Sequence, residues 1–203
     1  RYFSLSVFAV VFYSFSFKPS IIFDIDFFKS GESTGTFQLM SFRHNYDVLI
    51  QYQSLFLQGD LNLPNFVMST SGCIHFEEVK RIFEAIQMIC VISGIMTFIM
   101  GIYRIKQHEY RFLRLTSLFS VGILLVIGFF AAFDFNKAFI LFHQIVFRND
   151  YWIFDETTDP VITILPETFF MHCLMLIIGI VLVISLILYL IYLRQRKKIL
   201  ENI

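Results

Sequence analysis

The amino-acid sequence predicts an all-α polytopic membrane protein: four transmembrane helices, and a small extracytoplasmic cap formed by two outer loops, in which short strands could occur. Composition and the recurrence of long apolar stretches lead to this fold class. Hydrophobic residues make up 57% of the 203-residue chain and charged residues only 16%. A soluble domain has about 45–50% apolar and about 25% charged residues, so this composition excludes a soluble enzyme and a disordered chain.

Four stretches meet or approach the length of about 20 apolar residues that a membrane-crossing helix needs. The first is short and ends at Lys18, and because the chain does not begin with Met we expect residues before Arg1 to lengthen it. A signal peptide is the alternative, but no small-residue cleavage site follows, which favours a retained anchor. Within a single membrane domain, residues 1–203, the predicted spans are 2–17, 82–103, 112–133 and 169–193.

Basic residues predict the orientation of these spans, because Lys and Arg stay on the cytoplasmic side. They cluster in the connector after the second span, RIKQHEYRFLR, and in the tail after the fourth, RQRKK. We therefore expect a multi-pass protein of the cell membrane with both termini in the cytoplasm and its basic tail against anionic membrane lipids. The loops 24–81 and 134–168, and any active site in them, then face the outer surface.

Several functional classes lack support in the sequence. The 16 basic residues balance 16 acidic ones, which argues against nucleic acid as a partner. There is no glycine-rich phosphate-binding loop, so no nucleotide is expected. The spans contain neither the paired charges of an ion pathway nor the internal repeat of a transporter. Three cysteines are too few for a disulfide framework.

The first outer loop contains three predicted elements. Thr36–Phe42 could form a short strand. Asn45–Phe56 has apolar residues at helical spacing, which predicts an amphipathic helix in the plane of the lipid headgroups. Thr70 or Ser71 is the expected N-cap of a helix that continues into the second span.

His75 lies on the approach to the second span, seven residues before Ile82 and so about 10 Å from the outer end of that span. Glu78 shares its helix face and could orient the imidazole. An ordinary solvated helix start is the alternative interpretation of this segment. It predicts ion pairs between Glu77 and Arg81 and between Lys80 and Glu84.

His143 lies in the second outer loop, where apolar residues recur at helical spacing and predict another interfacial amphipathic helix. A lone histidine on such a stripe is usually a packing residue. Here, however, His75 and His143 are both expected at the outer lipid surface, where a four-helix bundle can bring them together. Two imidazoles in a dry cleft could act as base and acid near neutral pH.

Other chemistries have weaker support. Zinc ligation by His75, Glu78, His143 and His172 is conceivable, but neither HExxH nor HxxEH occurs in the sequence. Cys73 lies near His75, yet residues two apart on a helix do not face each other. No GxSxG or Ser-x-x-Lys motif supports a serine acyl-enzyme. We therefore expect neither a metal nor another cofactor.

Three sequence blocks stand out in the outer loops. They are RHNYDVLIQY, GCIHFEEVK, and residues 142–170, FHQIVFRNDYWIFDETTDPVITILPETFF. These blocks, and their spacing between four spans, resemble the lipoprotein intramolecular transacylases (Lit) of low-GC Gram-positive bacteria. The blocks lie mainly outside the spans, where hydrophobic bias cannot mimic a match.

The resemblance implies an acyltransferase that acts on diacylglyceryl-modified lipoproteins. Such an enzyme moves the sn-2 acyl chain to the α-amino group of the N-terminal cysteine and so produces a lyso-form lipoprotein. The substrate's own amine is the nucleophile, which fits a sequence without a convincing nucleophile motif. The family's catalytic histidines fall on His75 and His143. We take His75 as the base and His143 as the acid or oxyanion donor, with the reverse order also open.

Other residues are expected in supporting roles. The Asp155–Asp159 turn is expected to shape the cap. Two alternatives stay open: a non-enzymatic membrane sensor or assembly protein with a binding cap, and a metal-dependent membrane hydrolase that uses the same histidines. The residues expected to orient the substrate or hold the histidines are Asn45, Tyr46, Asp150 and Trp152.

Overall fold

The computed structural model describes residues 36–55 and 59–201. Among these residues the regular structure is entirely helical, with five α-helices, one short 3-10 helix and no β-strand. The first predicted span, 2–17, lies outside the described residues. The helices are α1 (Thr36–Tyr52), α2 (Thr70–Lys106), α3 (Arg111–Phe133), α4 (Phe135–Val146) and α5 (Glu167–Glu201), and the 3-10 helix is Pro160–Thr163.

Helices α2, α3 and α5 are each long and apolar enough to cross a membrane. Helix α3 begins one residue before the predicted span 112–133 and ends with it, whereas α2 and α5 extend beyond their predicted spans. The 37 residues of α2 measure about 55 Å at 1.5 Å per residue, against about 30 Å for the hydrocarbon core. The stretch from Glu77 to Glu84 is rich in charge, so the apolar part of α2 follows it.

The short strand predicted for Thr36–Phe42 is wrong, because this segment is the first half of α1. Neither Gly nor Pro interrupts residues 36–52, and one face of the helix is buried at the 3.6-residue period. The helix predicted over Asn45–Phe56 is therefore the second half of a longer helix, and it ends at Tyr52. The buried residues that mark this face are Asn45, Tyr46, Leu49 and Tyr52.

The described residues form two compact units. The first consists of residues 87–135 and 173–201, which are the apolar parts of α2, α3 and α5. Leu124 and Val181 form its small core, and buried Ser117 and Ser185 are small enough to let helices approach closely. Many large apolar side chains stay exposed, such as Phe133 at 77%, as expected for helices surrounded by lipid.

A tight turn joins α2 to α3 in this first unit. It consists of residues 107–110, with His108 in the left-handed conformation at φ 57°. An ion pair between Arg104 and Glu109 closes the turn. The basic connector predicted from the sequence is therefore mostly helical, with a turn of only four residues between the helices.

The second unit contains residues 36–55, 59–86 and 136–172. Its core combines the buried face of α1 with the 3-10 helix and the start of α5. Val161 is fully buried, and the rings of Tyr46 and Phe169 meet edge to face with centroids 6.3 Å apart. Helix α4 carries no buried residue. This unit contains all the predicted site residues.

Candidate active site

The two histidines singled out from the sequence lie side by side in the second unit. His75 is on the second turn of α2, and His143 is near the end of α4. Their ring centroids are 6.2 Å apart, with the ring planes inclined at 35°. His75 is 5% exposed, and His143 is half-buried. Side chains separated by 68 positions in the sequence thus form one pair.

Aromatic side chains enclose this pair. Phe147 contacts both rings, with centroid distances of 4.6 Å to His75 and 5.6 Å to His143. Phe154 covers His75 at 5.4 Å, and Trp152 covers His143 at 5.0 Å. Such a shell reduces hydration and strengthens electrostatic interactions inside it.

The surroundings favour the neutral form of both imidazoles. Burial lowers the pKa of His75 from 6.5 to about 4, and the neighbouring His143 contributes to the same shift. Burial also lowers the pKa of His143, although a hydrogen bond to the carbonyl of Phe139 opposes that effect. Both groups lie outside the apolar part of the spanning helices. At neutral pH each ring is therefore uncharged and can accept one proton and donate another.

A backbone contact selects the tautomer of His143. Its Nδ1 lies 2.8 Å from the carbonyl oxygen of Phe139. Because a carbonyl can only accept, Nδ1 of the neutral ring carries the hydrogen, and the lone pair is on Nε2. His75 differs, since its buried Nδ1 has no hydrogen-bond partner within the described part of the chain.

Glu78, which the sequence suggested as a partner of His75, binds Asn149 instead. The Asn149 amide nitrogen donates to the Glu78 carboxylate at 2.9 and 3.1 Å. The backbone carbonyl of Asn149 accepts a hydrogen bond from the Trp152 indole at 2.8 Å. Glu78 therefore connects the helix that carries His75 to the loop that covers His143.

The position of His75 depends on how α2 begins. Ser69 caps the helix, since its Oγ accepts a hydrogen bond from the backbone N–H of Gly72 at 3.0 Å; the predicted caps, Thr70 and Ser71, lie one and two residues too late. Asp159, 2% exposed, accepts hydrogen bonds from the backbone N–H and hydroxyl of Ser69 at 2.8 and 3.0 Å. A carboxylate at this end of a helix is also favoured by the helix dipole.

The same helix carries both predicted ion pairs. Arg81 bonds Glu77 on the exposed side, and Lys80 lies 3.9 Å from Glu84. The Lys80 ammonium also lies 4.2 Å from the centroid of the Tyr52 ring, which ties α2 to α1. The pair of Arg81 and Glu77 therefore lies on an exposed helix surface, whereas Lys80 is buried.

The other predicted site residues are spread over the second unit. Trp152 joins the histidines, whereas Asp150 is exposed. Asn45 is fully buried. Its Oδ1 accepts a hydrogen bond from the backbone N–H of Asn65 at 3.1 Å, and its Nδ2 donates to the carbonyl of Ser41, one turn earlier on α1, at 2.8 Å. Tyr46 packs beside it against Phe169.

Sequence reasoning missed Asn149 as a site residue and the buried role of Asp159. Asn149 follows the end of α4, where an asparagine is an ordinary turn residue, so its type alone does not predict a long-range contact. The sequence places Asp159 only in a turn, although Gly72 at the start of α2 hints at a close approach there. Among the described residues, no group of three His, Cys, Asp or Glu side chains is arranged to hold a metal ion.

The chain is similar to known proteins over most of its length. The family model described as lipoprotein intramolecular transacylase Lit matches residues 2–170. An in meso structure of the membrane integral lipoprotein intramolecular transacylase Lit from Bacillus cereus is 36% identical, with a TM-score of 0.90, and the match covers 97% of this chain and 92% of that one. No curated protein gives a significant match.

Two further in meso structures of the Bacillus cereus enzyme are also similar. In one, a histidine is replaced by arginine. That protein is 35% identical to this chain with a TM-score of 0.85, and the match covers 100% of this chain and 90% of that chain. In the other, the same histidine is replaced by alanine. That protein is 36% identical to this chain with a TM-score of 0.83, and the match covers 97% of this chain and 90% of that chain.

Proposed function

The chain belongs to the lipoprotein intramolecular transacylase (Lit) family, and from this premise we propose the reaction that its site performs. It is an integral membrane acyltransferase, and its Bacillus relatives fit the Gram-positive origin that the sequence resemblance implied. The proposed substrate is a diacylglyceryl-modified lipoprotein. The sn-2 acyl chain moves to the α-amino group of the N-terminal cysteine, which leaves a lyso-form lipoprotein.

The amine of the substrate attacks the carbonyl carbon of the sn-2 ester. A C–N bond forms, the bond from the carbonyl carbon to the glyceryl oxygen breaks, and one proton passes from nitrogen to that oxygen. The reaction requires a base for the amine, whose pKa is about 8 as a free terminus, and a hydrogen-bond donor for the tetrahedral oxyanion. No nucleophile from the enzyme is needed.

His75 and His143 supply these groups in our proposal, and the observation that carries it is their 6.2 Å separation inside an aromatic shell. Of the two orders open from the sequence, the tautomer of His143 favours the one in which it is the base. Its Nε2 takes the amine proton and returns it to the departing glyceryl oxygen. His75 donates a hydrogen bond to the oxyanion.

The remaining predicted residues act around this pair. Trp152, against the ring of His143, would contact the substrate near the reacting ester. Asp150, which is exposed two residues earlier, would contact the polar part of the lipoprotein. Asn45 and Tyr46 hold α1 in the second unit and so support the site from outside it. Holding amine and ester in register matters most, since a well-oriented reaction can gain about 7 kcal/mol or more.

We also propose the membrane arrangement predicted from the sequence. It has four spans, with 2–17 as the first, and two outer loops, 24–81 and 134–168, that form an extracytoplasmic cap. The basic residues at the end of α2 and in the last turns of α5 support a cytoplasmic location for those ends and for both termini. The histidine pair then lies at the outer surface, where the glyceryl group of a lipoprotein resides.

Mass spectrometry of one lipoprotein's N-terminal peptide tests the proposed reaction. The host would make only diacylglyceryl lipoproteins and express this chain, His75→Ala or His143→Ala. We expect the intact chain to move one acyl group to the cysteine nitrogen at unchanged total mass. Either substitution should lower the rate at least about 100-fold, the usual scale for a general acid or base.

Other outcomes discriminate among the alternatives. Transfer that survives both substitutions would keep the reaction and discard the histidine site. Transfer abolished by a chelator would favour metal-dependent chemistry. A well-expressed chain that moves no acyl group would contradict the transacylase proposal. It would favour the alternative of a non-enzymatic membrane protein whose cap binds a partner.

A further inference from the structure

We propose that Glu78 and Asn149 form a clasp that sets the spacing and the dryness of the histidine pair, so that both are positioning residues. The proposal rests on the proposed function for its catalytic consequence. Neither side chain is assigned a chemical step. Their contact joins the two chain segments on which the histidines lie.

The clasp closes shortly beyond each histidine. Glu78 is three residues after His75 on α2, and Asn149 is six residues after His143, just past the end of α4. The Asn149 amide nitrogen bridges both oxygens of the Glu78 carboxylate, at 2.9 and 3.1 Å. A hydrogen bond to a carboxylate is about twice as strong as one between neutral groups.

Asn149 also organises the loop that follows α4. Its Oδ1 accepts a hydrogen bond from the backbone N–H of Tyr151 at 3.1 Å, and its backbone carbonyl accepts one from the Trp152 indole at 2.8 Å. Both polar atoms of the side chain are therefore engaged. Because the same amide donates to Glu78 and accepts from the loop, it links α2 directly to the loop.

The loop in turn supplies the aromatic shell of the histidines. Phe147 and Trp152 flank Asn149 in sequence, and they contact His75 and His143 respectively at 4.6 and 5.0 Å. Without the clasp, these rings would be held to α2 by nondirectional apolar contacts, because the hydrogen bonds from Ser69 to Asp159 lie ten residues further along the chain. Water could then enter beside the imidazoles, and the distance between the rings would no longer be fixed.

A charge swap tests this inference. Asn149→Asp replaces the donating amide nitrogen by an oxygen, which places two carboxylates face to face and breaks the clasp. The oxygen Oδ1 is retained and still accepts from the backbone N–H of Tyr151. Adding Glu78→Gln restores the hydrogen bond with donor and acceptor exchanged. We expect Asn149→Asp to slow acyl transfer at least about tenfold, and the double variant to recover to within about threefold of the unaltered chain.

The matched control is Glu77→Gln, which removes the neighbouring carboxylate on the exposed face of α2, where it pairs with Arg81. It should leave the rate unchanged. An Asn149→Asp chain as fast as the unaltered one would overturn the clasp. So would a double variant as slow as the single one, because a residue needed only for general stability would not be rescued by the swap.

The second readout does not depend on activity. NMR titration of ¹⁵N-histidine protein in nanodiscs follows His75 and His143, whose pKa values burial lowers. Asn149→Asp should raise both toward 6.5 as water enters, and the double variant should lower them again. Unchanged titrations would overturn the clasp. A chain that transfers no acyl group at all would contradict the proposed function. The titrations would still show whether the clasp controls the environment of the histidines.

Discussion

At the scale of single residues, the main feature of the site is that two histidines are kept neutral by burial. Burial lowers the pKa of His75 to about 4, well below the value of 6.5 in an unfolded chain, and lowers that of His143 in the same direction. A base must be unprotonated to accept the proton of the amine. The aromatic shell therefore keeps the base ready at pH values where an exposed histidine would be half charged.

This neutrality predicts an unusual acid limb in the pH dependence of catalysis. With a short diacyl lipopeptide saturating the enzyme, the rate of acyl transfer should fall in two steps as the pH drops. The first step is protonation of the substrate amine, whose pKa is about 8 as a free terminus, and the second, below pH 6.5, is protonation of the histidine base, whose pKa burial lowers. The free energy of unfolding should change in the same direction. It is greatest above pH 6.5 and declines as the pH falls toward 4, because in this range the unfolded chain binds protons that the buried rings do not bind. A midpoint at or above 6.5 for the second step would contradict the neutral pair.

The residues that sequence reasoning found, and those it missed, differ in chemical type. His75 and His143 stood out because both were expected at the outer lipid surface, and the family resemblance added to that signal. Asn149 has many uses in turns, and its contact with Glu78 spans 71 positions. Local pattern cannot report such a contact, because it depends on how α2 and the loop after α4 pack.

At the scale of elements, the start of α2 is held by a close approach that admits only glycine. A Cβ on Gly72 would lie far inside van der Waals contact with the Asp159 carboxylate, which binds the capping Ser69. Gly72→Ala should therefore destabilise the protein by about 1–3 kcal/mol, measured as the shift in thermal unfolding of the detergent-solubilised chain. Because the same turn of α2 precedes His75, acyl transfer should fall as well.

Another glycine of the same helix provides the control for that prediction. Within the described part of the chain, a Cβ added to Gly94 would meet no heavy atom within 4 Å beyond its own stretch of helix. Gly94→Ala should be neutral, or stabilising by up to about 1 kcal/mol from helix propensity. Equal losses from both substitutions would show that the start of α2 is not specially constrained.

Secondary-structure elements were predictable where the apolar pattern of the sequence extends over many residues. Helix α3 follows its predicted bounds closely, because the 19 residues between Arg114 and Asp134 carry no charge and are mainly apolar, which leaves little choice. The strand proposed for Thr36–Phe42 failed, because seven residues carry too little pattern to show that they continue a helix. Only the buried face that extends from Asn45 to Tyr52 reveals the period of α1.

At the scale of the whole molecule, the division into two units matches a division of chemistry. The unit of residues 87–135 and 173–201 exposes large apolar side chains and carries basic residues at the ends of α2 and α5. The unit that holds the histidines contains the acidic turn of Asp155 and Asp159. Hydrophobic length predicts the first unit well. The second depends on long-range contacts such as Ser69 with Asp159, which no local period specifies.

The orientation of the whole chain in the membrane gives the last prediction, and a native cysteine offers the probe. Cys73 is exposed two residues before His75, so a membrane-impermeant maleimide should label it in intact cells if the site faces outward. In a Cys73→Ser chain that also carries Gln107→Cys, in the basic turn between α2 and α3, labelling should require permeabilised cells. Cys73→Ser alone gives the background from half-buried Cys90 and buried Cys173. Labelling of the Gln107→Cys chain in intact cells would invert the proposed topology, and it would place the histidines on the side of the membrane where mature lipoproteins do not reside.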